Sequence, residues 1–203
     1  IMKNQKFNKG LTLTALGSFW WGVIGVVYFK YISFAGPIEV VIHRCIWTSA
    51  VLIITTFYFS KWNIFFEIIS DKRKIVWLFF SGLLIFINWA TWIYAVGTEK
   101  IIDASFGYFI MPILSIFLGY IFYNEKINKK RGISIILVLI SILFLLIVNF
   151  NFIPWVGIIV ALSWGFYNLL RKKVNVDTDV GLLIESLFIL PFALFAFYLI
   201  FQN

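Results

Sequence analysis

Cysteine and histidine are almost absent from this chain: its 203 residues hold one of each, Cys45 and His43. A single cysteine excludes an internal disulfide and any cysteine-built metal site. A single histidine excludes the His-Glu-x-x-His zinc pattern. No Gly-x-Ser-x-Gly elbow and no phosphate-cradling Gly-Lys loop occurs either, so direct drive by ATP is not expected. Charge is scarce too. Charged residues make up 13% of the chain, whereas 62% is hydrophobic and 21% aromatic. A soluble domain carries about 25% charged residues and far less apolar sequence. The residues call for no cofactor and no metal.

The apolar residues come in long runs, at about 11–29, 38–60, 75–96, 101–123, 132–150, 154–170 and 181–201. Each approaches the roughly 20 residues that cross a bilayer core as a helix. The runs are too long for barrel strands, so backbone satisfaction in lipid demands helices. The expected fold is all-α, a polytopic transmembrane bundle of about seven spans with the lipid bilayer as its surroundings. The first run follows Lys3, Lys6 and Lys9 but is too long for a signal core and lacks a small-x-small cleavage site, so it reads as a retained span.

The net charge of +8 does not point to nucleic acid, because the basic residues sit in short loops rather than on a solvated domain. Lys3, Lys6, Lys9, Lys61, Lys72, Arg73, Lys74, Lys126, Lys129, Lys130, Arg131, Arg171, Lys172 and Lys173 fall on one side; Lys30 and Lys100 fall on the other. That bias predicts a cytoplasmic N-terminus in the cell's inner (plasma) membrane. In the longest loop, Trp62, Phe65, Phe66 and Ile69 share a helical face, which predicts a short interfacial helix.

Three runs carry polar stripes at steps of three and four, which place each set on one helix face. They are Thr14, Ser18, Trp21, Gly25 and Tyr28; Ser81, Asn88, Trp92 and Ala95; and Ser105, Tyr108, Pro112, Ser115 and Gly119. Close helix packing explains the Gly and Ser positions. Trp21, Asn88, Trp92, Ser105, Tyr108 and Pro112 are the candidate lining of a small-molecule cavity, with Pro112 bending its helix. For the bulky polar members, packing and lining both stay open.

The second run carries Glu39, His43 and Arg44. Ionisable groups in a span are expensive and point to function. Glu39 and His43 lie four apart and are within reach of a shared proton, histidine being the side chain that titrates near neutral pH. Arg44 points about 140° away from Glu39. It either snorkels to the outer interface or serves a polar path. The second run's neighbourhood has an echo. Trp21-Gly22 with Lys30 recurs as Trp164-Gly165 with Lys173, and Glu39 then matches Glu185. Five helices separate the copies, so the second copy is inverted, as in many secondary transporters. Glu39, His43, Arg44 and Glu185 are therefore candidates for gating or coupling.

In sum these residues resemble the RarD-type permeases, the chloramphenicol-sensitivity proteins of the EamA branch of the drug/metabolite transporter superfamily. The resemblance rests on Trp21-Gly22 with Tyr28-Phe29-Lys30, on Glu39 with His43-Arg44 and Trp47, on Ile87-Asn88-Trp89 with Tyr94-Ala95-Val96, and on Ala104 through Ile110 with Pro112. Gly119 with Glu125, Pro154-Trp155, Arg171-Lys172-Lys173 and Glu185 extend it along the chain. Met111 departs from the asparagine usual before the proline. The resemblance implies ten helices in two inverted halves around a central cavity. Residues 1–150 would be one half and 151–203 the start of the other, with Ile1 ahead of Met2 fitting a truncated chain. It also implies secondary transport of small organic solutes such as amino acids, metabolites or drugs by alternating access, with proton coupling as an option. Two alternatives remain at this stage: a membrane enzyme, for which His43 and Ser105 are the candidate pair, and a non-transporting fragment or assembly subunit.

Overall fold

The computed structural model describes the backbone of residues 2–149 and 154–202 and the side chains of 7–148 and 154–202. The expected boundary between halves, at residues 150 and 151, lies outside the described residues. Among the described residues the chain is helical, without a strand. The first span runs from α1 (Met2–Phe19) through a π-helical turn (Trp20–Gly25) into α2 (Val26–Tyr31) and a 3₁₀ turn (Ile32–Ala35). There follow α3 (Pro37–Tyr58), α4 (Trp62–Ser70), α5 (Lys72–Gly97), α6 (Ile101–Tyr123), α7 (Lys129–Asn149), α8 (Trp155–Val174) and α9 (Thr178–Gln202).

Boundaries follow local chemistry. Pro37 opens α3, where its missing N–H costs nothing. Asp71 caps α5 by accepting from the N–H groups of Arg73 and Lys74. Asn124 and Asn175 end α6 and α8 in the left-handed conformation that asparagine tolerates. The expected interfacial helix is α4. Its Ile68 is buried and Phe65 packs beside it, against Leu78, Val180 and Ile184. Phe66 and Ile69 are exposed.

Six helical segments among the described residues are long and apolar enough to cross a membrane. The seventh expected span, 154–170, is the helix α8 but is not one of those six. It ends in Arg171, Lys172 and Lys173, which lower the apolarity of its 20 residues, and it packs on both α5 and α6, turning Gly157, Val160, Ala161, Ser163 and Gly165 into those contacts. A helix that faces protein needs small residues more than greasy ones. α3 and α5 meet α9 on the other side, and one apolar core joins Val41 and Cys45 of α3 with Ile85 and Trp89 of α5 and Ile189 of α9. α1 and α7 are exposed almost throughout, with Leu16, Phe19, Ile140 and Phe144 turned outward.

The tightest crossing is that of α6 and α8. A Cβ at Gly107 would collide with the Gly157 carbonyl, and one at Gly157 with the Asp103 carbonyl. Gly22, in the π turn, has open space around it. Gly107→Ala should therefore destabilise the detergent-solubilised protein by about 1–3 kcal/mol, the usual range for overpacking. Gly22→Ala should leave it nearly unchanged. Thermal unfolding of the two variants checks the contrast.

Candidate functional site

A cavity of about 400 Å³ opens where the π turn, α3, α5, α6, α8 and α9 converge. That volume falls in the range of small-molecule sites. Trp21, Trp89, Tyr108 and Trp164 give it aromatic walls, and Asn88 and Arg44 are its strongly polar members. The π turn carries Trp21. Such turns widen a helix locally and recur at functional sites. The Trp21 ring packs on Trp92 at 5.2 Å, and Trp92 on Phe29 at 5.1 Å, so buried Trp92 backs the wall rather than lining it. Asn88 donates to the Val160 carbonyl and to Ser163 Oγ, both at 3.1 Å, which fixes α5 against α8 at the cavity's edge.

Arg44 does not snorkel to the interface. Its guanidinium lies over Trp89 at 4.3 Å, with Phe29 at 5.4 Å and Trp21 at 5.5 Å. A desolvated cation over an aromatic face gains about 2 kcal/mol. Its Nη1 is buried and has no hydrogen-bond partner among the described residues.

A second buried charge stands behind the cavity wall. Glu185 of α9 is wholly buried. Ser81 of α5 donates to its Oε1 at 2.5 Å, Tyr167 of α8 donates to its Oε2 at 3.2 Å, and Arg171 Nη1 lies 3.5 Å from Oε1. Arg171 also donates from Nη2 to the Thr178 carbonyl at 3.0 Å. A Cβ at Gly181 would occupy the space of the Arg171 guanidinium, so the glycine makes room for it. Tyr167 touches both Glu185 and the cavity.

Residues 8–147 match the EamA-like transporter family. The chain belongs to that family. It is 35% identical over 196 residues to an uncharacterized transporter of Vibrio cholerae, covering 97% of this chain and 64% of the relative. It is 33% identical over 192 residues to Protein RarD of Escherichia coli, covering 95% and 64%. It is 32% identical over 196 residues to the uncharacterized transporter YojE of Bacillus subtilis, covering 95% and 65%. The chain thus spans a little under two thirds of the length of these curated relatives. No solved structure matches it.

Within this EamA-family bundle, the sequence candidates divide. Trp21, Asn88, Tyr108 and Arg44 meet at the cavity. Ser105 and Pro112 are exposed on α6 and are not among its lining. Glu39 is half-buried in the first turn of α3, where a carboxylate suits the helix N-terminus. It makes no hydrogen bond to His43, whose ring packs edge-on against Phe197 at 5.4 Å. No hydrogen bond joins His43 and Ser105. Glu39 and Glu185 sit in unlike surroundings, the latter alone being fully enclosed.

Several residues escaped the sequence reading. Arg171 reads as one of a loop's topology charges, yet it turns back into the bundle toward Glu185. The spacing of Trp164, Tyr167 and Arg171 on one face of α8 was the available signal. Asp103 is buried, and its Oδ1 accepts the Gly157 N–H at 2.9 Å at the start of α8. At the basic end, Lys61 pairs with Asp177 and Asp179, each at 3.0 Å, joining the end of α3 to the start of α9; Lys172 pairs with Glu125.

The Lys61 pair has a definite pH window. The Asp179 and Asp177 hydrogen bonds raise the Lys61 ammonium above its ordinary range. Partial burial pushes the Asp177 carboxyl up, but the Val180 N–H and Lys61 outweigh it and hold it below its ordinary value. A lowered acid stabilises above its unfolded pKa and loses that as pH falls through its folded one; a raised base loses it only as pH rises through its folded pKa. The stability difference between wild type and Lys61→Ala should therefore stay flat from about pH 5 to 9 and shrink below about pH 4. Thermal unfolding across pH checks this.

Proposed function

We propose that this protein is a secondary transporter, a permease or exporter, of small organic solutes such as amino acids, metabolites or drugs, working by alternating access. The observation that carries the reading is the aromatic-walled cavity of about 400 Å³ at the meeting of six helical segments, in a chain of a transporter family. Aromatic walls with a few fixed polar groups are the chemistry of small-molecule sites.

The one-sided basic loops support an inner (plasma) membrane protein with a cytoplasmic N-terminus. In that orientation the Lys61–Asp177–Asp179 and Lys172–Glu125 pairs lie at the cytoplasmic end. Partly exposed ion pairs are weak enough to break and re-form during a transport cycle. Residues 1–150 form one half of the transporter in this reading, and residues 151–203 begin an inverted second half. Glu39 and His43, though not hydrogen-bonded to each other, are the candidates for proton coupling in this reading.

Uptake of a solute panel into proteoliposomes tests the cavity. Asn88→Ala and Tyr108→Ala should each lower uptake of the accepted solute by about tenfold, roughly 1.4 kcal/mol. Solute-specific uptake untouched by both variants contradicts the reading. His43→Gln should alter the pH profile of uptake; an unchanged profile contradicts the proton role.

A further inference from the structure

Two arginines lie within the helices of the bundle interior, and their fates differ. Arg171 has an ion-pair partner in Glu185 and the Thr178 carbonyl as an acceptor, although its Nη1, like that of Arg44, makes no hydrogen bond among the described residues. Arg44 has only aromatic rings, and makes no hydrogen bond or ion pair among the described residues. A guanidinium is planar. Arg44 lines the cavity with its buried Nη1 unpartnered, and the N–H edge of a guanidinium is the part that grips a carboxylate with two parallel hydrogen bonds. Aromatic faces offset some of the cost of burying the charge, but they supply no acceptor for Nη1. A buried charge without one is expensive to keep.

The surroundings add a sign and a shape. Arg44 is the one formally charged residue among those lining the cavity. The nearby carboxylate, Glu185, stands behind Tyr167 and is already matched by Arg171 and Ser81. The cavity therefore carries an uncompensated positive charge. Tyr108 lines the same cavity as Arg44, and Trp21, Trp89 and Trp164 wall the remaining space.

We propose that Arg44 is the seat for the carboxylate of the transported solute, with the solute's apolar or aromatic body lying against Trp21, Trp89 and Trp164. This rests on the cavity being a transport site and narrows its cargo to small organic monocarboxylates. The aromatic box holds the guanidinium in place when no solute is bound.

The test is direct binding to the purified protein in detergent, read by tryptophan quenching and by thermal shift. The probes are phenylacetate and indole-3-acetate, each against its uncharged amide. The carboxylates should bind at least ~10-fold more tightly than the amides, as a charge-assisted pair would give. Arg44→Gln should abolish that preference, and Arg44→Lys should keep part of it, having the charge without the fork. Ligand-free Arg44→Met should unfold at a higher temperature than wild type, because an unpaired buried charge has gone. Absence of a carboxylate preference across the panel, a preference that survives Arg44→Gln, full competition by chloride, or a less stable Arg44→Met protein each overturns the proposal. Carboxylate binding through Arg44 without uptake in proteoliposomes overturns the transport reading and leaves the seat. Uptake of neutral solutes unaffected by Arg44→Gln overturns the seat and leaves transport.

Discussion

Glu185 is enclosed on every side, and a carboxylate taken from water into an apolar interior is tolerated only with counter-charge and hydrogen bonds around it. α5 contributes Ser81, and α8 contributes Tyr167 and Arg171. Three helices are thereby fixed in rotation and register by one side chain. The small residues nearby serve the same end. Gly82 lets α5 approach the backbone at Glu185, and Gly181 leaves the Arg171 guanidinium its place. A polar hub of this kind specifies a packing more than it stabilises one, since a well-packed apolar replacement is often as stable.

The cavity depends on that arrangement. With α5, α8 and α9 held, Asn88 reaches Val160 and Ser163, and Trp164 and Tyr167 face the space opposite Trp21. α6 is held by a different device, the glycine crossing at Gly107 and Gly157 reinforced by Asp103 at the first turn of α8. The two buried arginines then divide the work. One closes the hub, and the other lines the cavity, boxed by aromatic rings and without an ion-pair partner among the described residues.

The spans and the α4 surface helix were legible because lipid imposes length and apolarity directly on the sequence. Three residues of the cavity's lining were legible for a similar reason: Trp21, Asn88 and Tyr108 are bulky polar residues amid apolar runs. Ser105 and Pro112 lie outside this lining, since spacing identifies a shared face without saying what the face meets. α6 turns Ala104 and Gly107 toward α8 and leaves Ser105 and Pro112 outward. Arg171 was hidden among adjacent basic residues, since charge counting treats every cation near a helix end as solvated. Arg44's aromatic box joins residues from α2, α3, α5 and the π turn, and no spacing rule within one helix reaches across four segments.

The central claim is that the Glu185–Arg171 pair organises the bundle around the cavity, and a double-mutant cycle tests it most directly. Thermal unfolding would be measured for wild type, Glu185→Met, Arg171→Met and the double variant. Each single change strands a buried charge and should cost about 3–5 kcal/mol, while the double change should recover most of that loss. Single effects that merely add in the double variant would contradict the account.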